Sequence, residues 1–232
     1  MITTRTFATC ALGLVLLTHG VDGQAVAQYR NFELGVNVAA VSVLTGVATS
    51  EAKTIHERPA VLQDLEWRPS RWTTSSALLP STDPVQQIAF SFYNDRLFRI
   101  VVDYDRDRTE GKTDADMVEA ISEVYGVPAT RAAGPARLAS RVETESGSPV
   151  ARWADAAHSV VLYRTASYRG GFRLIITDPA LDDLARKATT QAVRLDDQEA
   201  PKREVARLKK EQDDGRAASE KARLANKKVF RP

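Results

Sequence analysis

Apolar and polar residues alternate along two neighbouring runs in the middle of the chain, a pattern typical of strands with one buried face. The alternating apolar positions are Ile88, Phe90, Phe92, Phe98, Ile100, Val102 and Tyr104. Between the runs, Asn94 and Asp95 are residue types that tolerate the positive φ angles of a tight turn. The pattern therefore predicts a β-hairpin. Upstream, Val61, Leu65 and Trp67 alternate with the residues between them and predict a further strand.

Two stretches carry the signals of short helices. In the second, Thr113 can cap the first turn and Gly126 can end the helix. Between them, Met117, Ile121 and Val124 recur at helical spacing. The first stretch follows "ELGVN" and predicts a helix by analogy. It is rich in valine, so a strand is an alternative there.

The second half of the chain repeats the pattern of the first. "FRLIITD" from Phe172 echoes "FRIVVD" from Phe98, which lies 74 positions earlier, and Gly35 and Gly111 are 76 positions apart. A tandem duplication is the simplest explanation of this spacing. The predicted fold class is α+β, with two tandem repeats of one helix plus antiparallel strands, followed by a C-terminal helical extension.

The C-terminal part predicts helix. Pro179 suits a first helical turn, and an apolar stripe that should dock on the sheet follows it. The stripe consists of Leu181, Leu184, Ala185, Ala188, Ala192 and Leu195. From Pro201 the residues are mostly charged and Gly215 is expected to interrupt the helix, so this tail is predicted to be a solvated, partly frayed helix or disordered. Binding of a partner by the tail is the alternative.

The N-terminus has the features of a secretory signal peptide: Arg5, an apolar run too short to span a bilayer, and small residues near Gly23 and Ala27. Cleavage is expected after Gly23 or after Ala27, and the second position is preferred. Secretion or a periplasmic location is therefore expected. The predicted segments are 1–27 (signal), 28–108 (first repeat), 109–178 (second repeat), 179–200 (docking helix) and 201–232 (charged tail).

Charge and cysteine content narrow the possible functions. Residues 196–232 carry a net charge of +3, the signal segment carries 0, and the rest carries −1. A nearly neutral body argues against binding to a phosphate backbone. The single cysteine, Cys10, leaves with the signal, so the mature chain has no disulfide and no thiolate ligand. No transmembrane span is expected after cleavage.

Alternating carboxylates suggest a calcium loop at Asp103, Asp105 and Asp107. A calcium loop needs glycine at its sixth position and glutamate at its twelfth, but Arg108 and Asp114 stand there. The preferred interpretation is a strand-to-helix junction with solvated, salt-bridged acids.

The segment between Arg68 and Pro84 is long and aperiodic, and it contains the large apolar residues Trp72, Leu78 and Leu79. Long loops of this kind are often binding elements. These three residues are the candidate partner contacts, and the alternative is that they fold back onto the core.

Catalytic signatures are missing from the sequence. It has no G-x-S-x-G, phosphate loop or HExxH, and His56 and His158 lack neighbours at metal-ligand spacing. The expected function is a noncatalytic protein-interaction module without metal or cofactor, whose partner is another envelope or extracellular protein rather than a nucleic acid. The alternative is an envelope hydrolase that uses carboxylates of residues 103–116.

Two short motif pairs carry a family resemblance. "FELGVN" with "LTG", and "TEGKTDADM" with "YGVP", resemble the small domain of BamE/SmpA-type envelope lipoproteins and of the tandem-repeat β-lactamase inhibitory proteins. The likeness covers residues 32–178, and the lipid-bearing cysteine of the lipoproteins has no counterpart. The resemblance implies a noncatalytic module that presents its sheet to another protein.

Overall fold

The computed structural model describes residues 26–69, 83–131, 146–166, 171–229 and 231. These residues form an α+β fold in which helices cover both faces of an antiparallel sheet, and a long helix ends the chain. The predicted signal segment therefore lies almost entirely outside the described residues.

The strands are β1 (Gln28–Tyr29), β2 (Phe32–Glu33), β3 (Lys53–His56), β4 (Leu62–Trp67), β5 (Val85–Tyr93), β6 (Arg96–Tyr104), β7 (Thr130–Arg131), β8 (Ser148–Ala154), β9 (Ser159–Arg164) and β10 (Phe172–Thr177). The helices are α1 (Val38–Thr45), α2 (Arg106–Thr109), α3 (Asp114–Tyr125) and α4 (Pro179–Val229), with a 3-10 turn at Thr49–Glu51. Among the described residues, β1 and β2 form a separate ribbon. The other eight strands form one sheet in the order β3-β4-β5-β6-β10-β9-β8-β7.

The predicted hairpin is confirmed by β5 and β6, which pair antiparallel. Its turn residues Asn94 and Asp95 have φ angles of 47° and 61°, as a two-residue turn that matches the twist of the strands requires. The same side chains anchor the hairpin. Asn94 Oδ1 accepts a hydrogen bond from the Val61 amide, and Asp95 Oδ1 accepts one from the Val38 amide at the start of α1.

A β-bulge in β6 changes which residues face the core. The register shifts between Ser91 and Phe92, so β6 contains one extra residue. Leu97 therefore packs in the main core with Ile100, whereas Phe98 lies in a different cluster. The predicted common face of Phe98 and Ile100 is wrong, because a bulge moves one side chain across the sheet.

Helix α1 confirms the helical interpretation of the valine-rich stretch. Asn37 caps it by accepting a hydrogen bond from the Ala40 amide at 2.9 Å, and Gly46 ends it with a left-handed φ of 73°. One face of the helix is buried through Val38 and Val41. Strong local caps thus outweigh the strand preference of valine here.

Helix α3 has the predicted start and end. Thr113 Oγ1 accepts from the Asp116 amide, and an Asp116 carboxylate oxygen accepts in return from the Thr113 amide, which forms a capping box. The helix ends at Gly126, and its inner face buries Met117 and Ile121. These contacts orient α3 against the sheet.

The main core lies between one face of the sheet and the layer formed by α1, α3 and the β1-β2 ribbon. Trp153 is fully buried there and donates its indole N–H to the Gly126 carbonyl at 2.9 Å. Trp67 packs against the edge of the same core, where its ring contacts Phe32. Core packing was the expected role of both tryptophans. The ribbon supplies Tyr29 and Phe32 to this core.

Helix α4 begins on the opposite face of the sheet. Asp178 caps it by accepting from the amides of Ala180 and Leu181, and Leu181 and Ala185 then pack against Phe98. Most of the predicted stripe is buried: Leu181, Ala185, Ala188 and Ala192, with Leu195 half-buried. Leu184 is a correction, since its side chain is 45% exposed.

The same helix continues through Pro201 and Gly215 to Val229. The predicted interruption at Gly215 is therefore wrong. One glycine costs a helix about 1 kcal/mol relative to alanine, and good helix formers surround it. Pro201 removes one amide donor, but the residue is exposed, so water can satisfy the carbonyl that lacks its partner.

Candidate functional site: a tyrosine-lined cleft and a projecting helix

The predicted partner contacts Trp72, Leu78 and Leu79 lie outside the described residues. Their assignment to partner binding therefore stays a prediction. Of the predicted histidines, His158 lies in the β8–β9 turn, where its amide donates to Asp155 Oδ1 at 2.6 Å, and His56 is half-buried at the end of β3.

The carboxylates of residues 103–116 have structural partners. Asp103 forms an ion pair with Arg173, whose Nε lies 2.6 Å from Oδ1. Asp105 is buried and caps α2 by accepting from the amides of Asp107 and Arg108. Asp103 and Asp105 therefore serve different local contacts, and the side chain of Asp107 is exposed. Among the residues that the structure describes, no group of three potential ligands converges on a point suited to a metal ion.

Two further acids of this segment also have partners. Asp114 lies 3.2 Å from Arg164 Nη1, and Asp116 belongs to the α3 capping box. Hydrogen bonds from the Thr113 amide and hydroxyl lower the pKa of Asp116. A hollow of about 430 Å³ beside Asp103 also contains Arg106 and Arg173. Its described lining thus pairs one carboxylate with two guanidinium groups, which differs from an acid–base carboxylate pair.

A second hollow is an apolar cleft between the β1-β2 ribbon, α3 and the ends of β6 and β10. We call it the tyrosine cleft, because Tyr29, Tyr104 and Tyr125 line it. Its volume is about 370 Å³, within the range of small-molecule sites. The sheet and α3 supply its apolar wall, which includes Leu174 and Ile121.

The three phenols are fixed by hydrogen bonds. Tyr125 donates its hydroxyl to the Gln28 carbonyl at 2.7 Å, and Tyr29 and Tyr104 share a hydrogen bond. Burial raises the pKa of all three phenols. The hydroxyls therefore stay protonated through the physiological pH range: Tyr125 keeps the hydrogen that it donates to Gln28, and the Tyr29–Tyr104 pair keeps one hydrogen beyond the bond that the two phenols share.

Cationic side chains lie around the tyrosine cleft. Arg30 stacks over the Tyr29 ring at 5.4 Å from its centroid and forms a two-bond ion pair with Asp83. Burial raises the pKa of Asp83, but hydrogen bonds from Arg30 and the Val85 amide outweigh burial and lower it overall. Arg108 and Lys112 complete the basic lining. The cleft thus combines an apolar interior with a basic rim.

The second candidate element is the distal part of α4. We call residues 201–229 the arm; every residue from 200 to 228 is exposed. Near its base, Arg58 reaches from the body to Glu199 at 2.8 Å. The arm carries ten Lys and Arg residues against five Asp and Glu residues, a difference of +5. Because the whole chain is +2, the remainder sums to −3.

Neither the tyrosine cleft nor the basic arm was predicted from the sequence. Tyr104 was expected on an apolar strand face and Tyr125 near a helix end, but their meeting with Tyr29 depends on tertiary packing. A usable signal was present for Tyr104, since a tyrosine at the end of an apolar strand can place its ring inside and its hydroxyl at a polar boundary. The net charge of +3 over residues 196–232 understates the basic character of the arm, because it includes the acids Asp196, Asp197 and Glu199 of the preceding turns.

Comparison with known proteins gives no identification. The chain matches no family model, and neither a curated protein nor a solved structure is significantly similar to it. The resemblance to BamE/SmpA-type and β-lactamase inhibitory modules thus stays a prediction from short motifs. Within the described ranges, no helix combines the length and apolar composition needed to cross a bilayer.

Proposed function

We propose that this protein is a noncatalytic interaction module that binds another protein through the arm. The observation that carries the proposal is the arm itself: a helix that extends about 44 Å beyond the docked turns, at 1.5 Å per residue, with its side chains exposed. Isolated helices of mixed charge are marginal in water, whereas this one is continued from a docked helix. The body therefore holds the arm in a position where it can contact another protein.

The charge of the arm favours a partner protein with an acidic surface. Basic residues dominate its last turns, where Lys221, Arg223, Lys227 and Lys228 accompany one acid, Glu220. Earlier in the arm, acids such as Asp213 and Asp214 lie between groups of basic residues. A uniformly negative phosphate backbone would repel those acids, whereas a protein surface can pair with both signs.

The scaffold behind the arm is proposed to be a tandem duplication. The strand order is symmetric about the β6–β10 pair, and each half contains a helix followed by four strands. At the centre Val101 pairs with Ile175, and these two residues are themselves 74 positions apart. Phe98 and Phe172 have the same separation. A two-fold axis through the central pair would therefore superpose the strands that share the sequence echo.

Helix geometry supports the same duplication. The caps Asn37 and Thr113 are 76 positions apart, as are the buried residues Val41 and Met117. Gly35 and Gly111 also share this spacing, and both have positive φ angles of 91° and 77°. The corresponding turns require a conformation that glycine adopts without strain. Helix capping alone would explain similar caps in the two halves. It would not explain why the caps, the glycines and the buried residues all share one spacing.

The test is site-specific photo-crosslinking in cells that make the protein. A photo-reactive amino acid replaces Ser219 in the arm, or, as control, Ala156 on the exposed β8–β9 turn. We expect one protein adduct from the arm position that the control position does not form. The triple variant R223E/K227E/K228E and raised salt should each weaken this adduct, since both reduce attraction to acidic surfaces.

Three results would contradict the proposal: the absence of an arm-specific adduct, an adduct insensitive to charge reversal, or an adduct that is nucleic acid. The hydrolase alternative has no specific support in the geometry, because Asp103, Asp105, Asp114 and Asp116 all have structural partners. Export to the periplasm or outside the cell is part of the proposal and rests on the signal sequence.

A further inference from the structure

We propose that the tyrosine cleft binds a small amphipathic carboxylate: a molecule with an aliphatic or aromatic body and one carboxylate group. This site is separate from the arm and does not depend on the proposed protein partner. The proposal rests on three features of the cleft: an apolar wall, fixed phenol donors and a basic rim.

The wall of the cleft is suited to an apolar body. Met117, Ile121 and Leu174 are buried residues of the main core that also line the cleft, so a ligand there would extend the core. Ala120 and Val124 continue this wall along the outer face of α3. Removing apolar ligand surface from water at such a wall is favourable by roughly 25 cal/mol per Å². A polar or doubly charged molecule would forfeit this contribution.

The phenols supply polar recognition without adding charge. Tyr29 and Tyr104 are hydrogen-bonded to each other, so their oxygen atoms form one polar spot within an otherwise apolar cleft. A phenol hydroxyl that donates one hydrogen bond can still accept another, and one that accepts a hydrogen bond can still donate its own hydrogen. The few polar groups of a small-molecule site typically fix ligand orientation in this way. The phenols therefore point to a ligand with a single polar end.

The rim selects a negative charge for that polar end. Asp83 neutralises Arg30, and Lys112 brings a positive charge to the lining of the cleft. Lys112 is exposed at the turn before α3, so its ammonium group can reach a carboxylate at the mouth. A carboxylate there gains a charge-assisted hydrogen bond, and an ammonium head would be repelled.

The experiment is a calorimetric titration of the purified full chain with decanoate. The decanoate concentration is kept below the value at which decanoate forms micelles. We expect saturable binding at one site, weaker binding of the neutral analogue decan-1-ol, and none of decylammonium. Amide NMR shifts should concentrate at Ala120, Ile121 and Tyr125. Lys112→Gln should weaken decanoate about five-fold, as expected for loss of one partly exposed charge contact, and leave decan-1-ol unchanged.

A matched pair of variants tests the location. Ala120→Phe places a ring in the cleft and should weaken decanoate by about ten-fold or more. Ala115→Phe adds the same ring to an exposed alanine of α3 outside the cleft and should bind as the wild type does. Both positions are exposed, so both variants should fold. Failure of decanoate to bind, equal affinity for decan-1-ol, or full binding by Ala120→Phe overturns the proposal.

Discussion

At the residue scale, the ion pair between Arg99 and Asp182 joins the sheet to α4. Their side chains are 10% and 8% exposed, so both charges are largely removed from water. Arg99 also stacks over the ring of Phe98, which α4 covers. Breaking such a pair from one side leaves an uncompensated buried charge, which costs more than the intact pair contributes.

We therefore predict that Asp182→Ala lowers the free energy of unfolding by about 3 kcal/mol. Urea denaturation followed by circular dichroism would measure the change. The neighbouring variant Asp183→Ala is the control: Asp183 pairs with Arg186 on the exposed side of α4, so its loss should cost less than about 1 kcal/mol. Equal effects of the two variants would contradict the role given to the buried pair.

Residue-scale features that depend on neighbouring positions were predictable from the sequence. The positive φ angles of Asn94 and Asp95, the Thr113 cap and the glycine ends follow from side chains within a few residues. The pairing of Arg99 with Asp182 was not predictable, because the two residues are 83 positions apart. In addition, arginine and aspartate are residue types that usually lie on the solvated surface. The meeting of Tyr29, Tyr104 and Tyr125 has the same long-range origin.

At the scale of elements, two glycines end helices in different conformations. Gly46 after α1 has φ 73° and ψ 5°, the left-handed helical region. Gly126 after α3 has φ 79° and ψ −161°, a region that residues with a side chain essentially avoid. A Cβ at either position would meet no atom within 4 Å. Any difference between their alanine variants therefore reports backbone conformation rather than crowding.

We predict that Gly126→Ala costs about 2 to 3 kcal/mol of unfolding free energy, against about 1 kcal/mol for Gly46→Ala. Thermal or chemical denaturation of both variants would measure the order. Gly126→Ala should also perturb Trp153, whose indole donates to the Gly126 carbonyl, and change the tryptophan fluorescence. The reverse order of stabilities would refute this account of the two helix ends.

Strand alternation predicted the existence of β4, β5 and β6 but not every face. The bulge places one extra residue of β6 opposite Ser91 and Phe92 and so puts Leu97 and Phe98 on different faces of the sheet. Leu97 and Phe98 are both apolar. Alternation thus carries no information on which of them enters the main core. In the folded protein Phe98 packs against Leu181 and Ala185 of α4, a contact that lies more than 80 positions away in the sequence.

At the scale of the whole molecule, the body and the arm are energetically independent. The docked turns of α4 bury Ala188 and Ala192, whereas the arm is exposed throughout its described side chains. Burial of apolar surface is the main source of folding stability, so the arm contributes little to it. The sequence predicted this division near residue 200, although the helix itself does not break there.

We predict that truncation after Ala200 leaves the melting temperature within about 2 °C of the full chain, because it removes exposed residues. The longest dimension measured by small-angle X-ray scattering should shorten, and the helical circular dichroism signal should fall. Truncation after Lys187, which also removes Ala188 and Ala192, should lower the melting temperature clearly. A large loss of stability from the shorter truncation would show that the arm packs on the body.

The order of strands in the sheet was beyond sequence reasoning. Two repeats were predicted, but their fusion into one sheet depends on β6 pairing with β10, and no local pattern specifies that contact. The apolar composition of β6, with Leu97 to Val102 mostly buried, does indicate a strand covered on both faces. Which strand lies beside it was left open.

The central position of β6 has a consequence for synthesis on the ribosome. Its pairing partner β10 starts at Phe172, which is 68 positions after Tyr104. At about 5–20 residues added per second, the nascent chain therefore spends several seconds with one apolar strand edge unpaired. Such an edge is a template for association with other chains. Association through that edge is therefore avoided only if the edge stays shielded until Thr177 has emerged.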